Sequence, residues 1–180
     1  MSGVLKKVVM TFSILALSMQ LLPIEPAEAI RTNKTFRVGL YLAGADIWWH
    51  IQTGGWDSTS DPTKIIVNYA YAGGNVINGD WLWSQGVTMA ILVDRGRIYD
   101  GNTIKFTYDW TDLNSGGNGI SAPYPWGGSM YIDPILWLAK NTPNKHQVRI
   151  SYTHNLTPLV YYATKEHVFY DNGWKDVVSQ

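Results

Sequence analysis

The sequence predicts an all-β fold, an antiparallel β-sandwich with one or two short helical turns. Three observations point there. Apolar and polar residues alternate with a period of two in segment after segment. Clusters of Gly, Asn and Asp interrupt that alternation at short intervals, as they do between the strands of sandwiches and barrels. No repeat, linker or second composition divides residues 30–180, so they form a single domain.

The first 29 residues read as a secretory signal peptide. Lys6 and Lys7 give a positive start, residues 8–22 are mostly apolar, and Ala27-Glu28-Ala29 is the small-x-small pattern of a cleavage site. Thr11, Ser13, Ser18 and Gln20 interrupt the apolar run, which falls short of the roughly 20 residues a membrane span needs. Cleavage after Ala29 leaves 151 of the 180 residues as a secreted, extracellular domain.

Residues 35–42 open the domain as a strand, with Phe36, Val38, Leu40 and Leu42 on one face. Residues 46–52 follow as a shorter strand. Residues 65–71, 87–93 and 159–163 are apolar on both faces, the pattern of central strands. Asp100-Gly101 is a preferred pair for a tight hairpin, and beyond it Ile104, Phe106, Tyr108 and Trp110 alternate with Lys105, Thr107 and Asp109. Residues 111–128, rich in Gly, Ser, Asn and Pro, predict a long surface loop. Asp133 followed by Pro134 is a good helix start, so residues 135–139 predict one or two helical turns, with a buried strand as the competing reading. Residues 146–154 alternate again, and 159–163 and 166–170 complete the strands.

Composition narrows the function. The 14 basic and 14 acidic residues lose Lys6, Lys7, Glu25 and Glu28 with the signal peptide and stay balanced at 12 each. That balance argues against nucleic acid as the main partner, because phosphate binding needs a basic excess. The absence of cysteine rules out disulfides, thiolate metal sites, a cysteine nucleophile and lipid attachment through an N-terminal cysteine.

No catalytic, cofactor or metal site is expected. There is no paired-histidine zinc motif, phosphate-binding glycine loop or Gly-x-Ser-x-Gly elbow, and His50, His146, His154 and His167 are scattered. Glycoside hydrolysis needs two carboxylates across a cleft, and nothing singles out a pair beside Glu166, the one glutamate of the mature chain. Asp109, Asp112 and Asn114 carry oxygens suited to calcium, but they lack regular loop spacing and suit turn hydrogen bonding better.

The aromatic residues carry the functional signal. All nine tryptophans and eleven tyrosines lie beyond the signal peptide. Core packing accounts for about half, in line with how often large rings are buried. Trp81 and Trp83, two apart, share one face of any strand; Tyr124, Trp126 and Tyr131 lie in or beside the long loop, and Trp110 leads into it. Exposed rings of this kind stack on sugars or sit at a bilayer interface, and either use fits a neutral exported β domain.

Gly55-Trp56 followed by Pro62 and Ile65, then residues 86–93, 100–110 and the Gly/Asn-rich stretch 114–118, resemble in their order the aegerolysin-type haemolysins and the related actinoporins over about residues 35–120. The resemblance implies a membrane-binding β-sandwich, a cytolysin or component of one, with Tyr108 and Trp110 lining a lipid-headgroup site and Tyr124, Trp126 and Tyr131 adjoining it. Actinoporins place an amphipathic helix before the sandwich, whereas strand pattern here begins within a few residues of the cleavage site. Membrane recognition is therefore implied more than autonomous pore formation, which would need a homo-oligomer or a second protein component. The alternatives are a carbohydrate-binding module, with Trp81 and Trp83 or Trp110 and Trp126 as its stacking platform, and a structural or matrix protein.

Overall fold

The computed structural model describes residues 29–39, 46–77, 84–113 and 126–178. Among them the elements are eight strands: β1 (Ile30–Gly39), β2 (Asp46–Asp57), β3 (Lys64–Ile77), β4 (Met89–Asp100), β5 (Thr103–Tyr108), β6 (Trp126–Ala139), β7 (Asn144–His154) and β8 (Thr157–Tyr170). They form two four-stranded antiparallel sheets, ordered β1-β2-β3-β6 and β5-β4-β7-β8. This is the sandwich that alternation predicts, except that residues 159–163 belong to β8, an edge strand and not a central one, where Leu159, Val160 and Tyr162 are exposed. The signal peptide assigned to residues 1–29 lies outside the described residues, apart from Ala29.

Residues 133–139 are strand, not helical turns. Ile65, Ile66 and Val67 of β3 pair with Leu138, Trp137 and Leu136, so the sheet satisfies the backbone groups that a helix would have satisfied internally. Burial there follows a period of two: Leu138 is buried, while Ile135 and Trp137 are exposed. The Asp-Pro start signal is local, and a 14-residue strand already paired along β3 overrides it.

Alternation, carried through the register, builds the core between the sheets. β2 turns Ile47, Trp49 and Ile51 inward, β3 adds Ile65 and Val67, and β4 and β7 answer with Ile91, Val93, Ile98, Val148 and Ile150. Each such side chain, fully buried, is worth roughly 1.5–3 kcal/mol. An irregularity where Gly54/Gly55 of β2 meet Tyr69/Val67 of β3 shifts the inward–outward phase part-way along β3, from Ile65 and Val67 to Ala70 and Ala72, while β2 keeps its alternation. The short connection from Ala139 to Asn144 links the sheets, which puts the paired ends Lys64–Ala139 and Asp100–Asn144 at one end of the sandwich.

One polar layer crosses the core. Thr53 Oγ1 lies 3.0 Å from His146 Nδ1, and the Tyr108 hydroxyl lies 2.7 Å from His146 Nε2. Beyond β8 the chain folds back. Trp174 packs on Phe169 and Tyr170 and donates from Nε1 to Asp57, and residues 176–178 run along the free edge of β1.

Candidate ligand-binding face

The outer face of the first sheet is assembled from every second residue of its four strands. Cross-strand register lays them out in rows. Nearest the Ala139 end are Trp56, Ile66 and Trp137. Next come Arg31, Gly54, Tyr69 and Tyr131, then Asn33, Gln52, Tyr71 and Ser129, then Thr35, His50, Gly73 and Gly127. Arg37, Trp48 and Asn75 close the far end. Three large rings on this face reach solvent: Tyr131 at 67%, Trp48 at 47% and Trp137 at 45% relative exposure. Gly73 and Gly127 leave a bare strip of backbone between Trp48 and the tyrosines.

Contacts between side chains fix the rings. Gly54 has no side chain to block Arg31, which crosses it so that its guanidinium carbon lies 3.4 Å from the Tyr69 ring centre. A Cβ at Gly54 would come within 2.7 Å of Arg31 Nη1 and 3.0 Å of Tyr69 Cβ, so glycine is what permits the crossing. Tyr69 in turn meets Tyr131 edge to face, with centroids 5.8 Å apart. Arginine, tyrosine and tyrosine thus form one braced row, with Tyr131 the exposed end. Farther along, Thr35 Oγ1 lies 2.9 Å from His50 Nδ1, and Arg37 pairs with Asp46.

Hydrogen-bonding groups stand between the rings. Burial, and secondarily the neighbouring Tyr69, raise the Tyr71 pKa, so its hydroxyl keeps its proton and remains a donor. Arg31 Nη1 and Asn33 Oδ1 are shielded from water with no hydrogen-bond partner among the described residues. The face therefore offers flat apolar surfaces, an amide, a hydroxyl and an imidazole side by side. Among the described residues, no group of His, Asp and Glu side chains is placed to hold a metal ion.

The residues anticipated from sequence are dispersed. Tyr108 does not line any surface: it is 2% exposed, hydrogen-bonded to His146, with its ring lying on Gly96, where a Cβ would come within 2.0 Å of Tyr108 Cζ. A strand that alternates correctly still gives each ring to one face, and Tyr108 has the core face. Trp110 is 39% exposed just past β5, on the margin of the second sheet, where its backbone N–H donates to Val93 O. Tyr131 belongs instead to the first sheet. Trp81, Trp83 and Tyr124 lie outside the described residues, as does the side chain of Trp126. Asp109 and Asp112 bind their own turn: Asp109 accepts from the backbone and hydroxyl of Thr111, which lowers its pKa, and Asp112 accepts from the Asp109 N–H. Asn114 is outside the described residues.

No family model matches the chain, nor does any curated protein or solved structure. The chemistry of the face is then the guide to its ligand. Trp48, Trp56, Tyr69, Tyr71 and Trp137 were not among the sequence candidates, though one signal was present. Adjacent residues of a strand point to opposite faces, so the doublet Trp48-Trp49 must leave one ring outside. Trp49 is the buried member.

Proposed function

We propose that this chain is a secreted, non-catalytic carbohydrate-binding domain whose site is the outer face of the first sheet. One observation carries the reading: Trp48, Tyr131 and Trp137 are exposed on a single sheet face, braced by Tyr69 and Arg31 and interleaved with Asn33, Gln52, His50 and Tyr71. A sugar ring has an apolar face of C–H bonds and an edge of hydroxyls. It needs a flat aromatic platform below and donors and acceptors at the side, and this face supplies both. A site built on strands is also held more rigidly than one built on loops.

Affinity electrophoresis through gels containing soluble polysaccharides tests this. Retarded migration in at least one polysaccharide, lost in Trp48→Ala and Tyr131→Ala but kept in Trp110→Ala, is the expected result. Free migration in every gel, or retardation that survives both substitutions, would overturn the assignment.

A further inference from the structure

A second surface stands apart from the proposed sugar face. On the outer face of the second sheet, Arg95 is paired with Arg149, Arg97 with Gln147, and Tyr99 with Lys145. Arg149 is answered by Asp94, and Lys145 by Glu166. Among the described residues Arg95 and Arg97 have no carboxylate partner, and Arg97 Nε makes no hydrogen bond. Two half-buried arginines therefore hold an uncompensated positive charge in the middle of a face. Arg95 and Arg97 lie two apart on β4 and so share its outer face, while the carboxylates Asp94 and Glu166 pair with Arg149 and Lys145 instead.

An apolar margin borders the same face. Leu156 in the β7–β8 turn is 62% exposed, and Leu159, Val160 and Tyr162 on β8 follow it. Tyr162 lies beside Ser151 on the outer face, and the Arg149 guanidinium sits 5.1 Å from its ring centre, which joins the apolar margin to the cations. The two edges β1 and β8 are treated differently. Residues 176–178 cover β1, whereas along β8 the described residues add only a bridge between Tyr170 and Trp174. An apolar, uncovered edge is a liability unless something covers it.

We infer that this margin and the adjoining arginines form a docking surface for an anionic phospholipid bilayer. Leu156, Leu159 and Val160 enter the boundary between headgroups and acyl chains, while Arg95 and Arg97 meet lipid phosphates. Charge selects this occupant over a second copy of the chain. Two β8 edges joined together would extend two faces of the same sign into one sheet, whereas an anionic bilayer neutralises the cations and covers the apolar turn together.

Sedimentation with sugar-free vesicles tests the inference separately from the carbohydrate reading. The protein should pellet with vesicles of equal phosphatidylglycerol and phosphatidylcholine, and weakly with phosphatidylcholine alone. Raised salt should reduce pelleting. The double variants R95Q/R97Q and L156S/L159S should each lower the partition coefficient roughly tenfold or more, with unchanged circular dichroism as the check on folding. Trp48→Ala and Tyr131→Ala, which abolish the proposed sugar binding, should pellet as the unaltered protein does. No pelleting with anionic vesicles, pelleting indifferent to the arginines, or a stable dimer in analytical ultracentrifugation that L156S/L159S dissociates would each overturn it.

Discussion

The Tyr108 hydroxyl and His146 Nε2 lie 2.7 Å apart between the two sheets. Burial lowers the His146 pKa to about 3, with the nearby His167 acting in the same direction, and burial raises that of Tyr108. Both groups are therefore neutral at pH 7. Tyr108 donates to Nε2, which leaves Nδ1 to donate towards Thr53 Oγ1, 3.0 Å away. Tyr108→Phe keeps the ring and strands a buried imidazole nitrogen, a loss of about 1–3 kcal/mol. Urea unfolding should show that loss as a lower midpoint at unchanged slope. Sugar binding should be unaltered, since Tyr108 is on the far side of the sheet from the proposed site.

The same layer makes stability depend on pH. Burial also lowers the His167 pKa, to about 4, against an upward pull from Asp176 and with a further lowering from Lys34. An unfolded histidine titrates near 6.5. Between that value and the folded values the unfolded chain binds more protons than the folded one, so stability rises with pH through this window and is lost as pH falls. Above about pH 7 both states are neutral at these residues and the contribution is flat. Unfolding midpoints in urea at pH 7.5, 5.5 and 4.5 should decline in that order, and about half of the decline due to these two histidines should vanish in His146→Gln. A midpoint constant from pH 7.5 to 4.5 would mean that neither histidine is shielded as described.

Much of the fold was legible because alternation is a local signal. Val148, Ile150 and Tyr152 point inward and Gln147, Arg149 and Ser151 outward along β7, as the bare sequence indicates. The Asp100-Gly101 turn is also present, with Gly101 at φ 60° between paired Asp100 and Thr103. The candidate site was not legible, for two physical reasons. The irregularity at Val67/Tyr69 breaks the parity of β3, so that Tyr69 and Tyr71 face outward although Ile65 and Val67, of the same parity, face the core. Tyr131 and Trp137 join them only through the β3–β6 pairing, and part-way along β6 the sequence carries the Asp133-Pro134 helix signal. Loop aromatics looked more available because loops are usually exposed, yet it is a sheet face that collects the rings.

The Arg31 crossing can be tested without removing charge. Lysine at position 31 keeps the positive charge, but has no planar group to lie flat on Tyr69. Arg31→Lys should cost about 0.5–2 kcal/mol, the range for a cation–π contact from exposed to desolvated. It should also free Tyr69 and Tyr131 to move and weaken binding at the proposed sugar face. If Arg31→Lys and Arg31→Ala weaken binding equally, the brace depends on the flat stack; full retention by lysine would show that charge alone suffices.

The tail beyond β8 acts as edge protection. Asn33 N–H donates to Asp176 O, and Val178 N–H donates to Arg31 O, each at 2.9 Å, so residues 176–178 occupy part of the strand edge that β1 would otherwise present. Asp176 also pairs with Lys34, but that pair is solvent-exposed and contributes little. Ending the chain after Lys175 removes both backbone bonds, each worth about 0.5–1.5 kcal/mol net, and bares N–H and C=O groups that pair readily with another chain. The shortened protein should unfold at lower urea and scatter light increasingly with concentration. Asp176→Asn keeps the backbone bonds and loses only the charge, so it should behave nearly as the full chain does. Aggregation of Asp176→Asn to the same extent as the truncation would assign the protection to the ion pair and not to the covered edge.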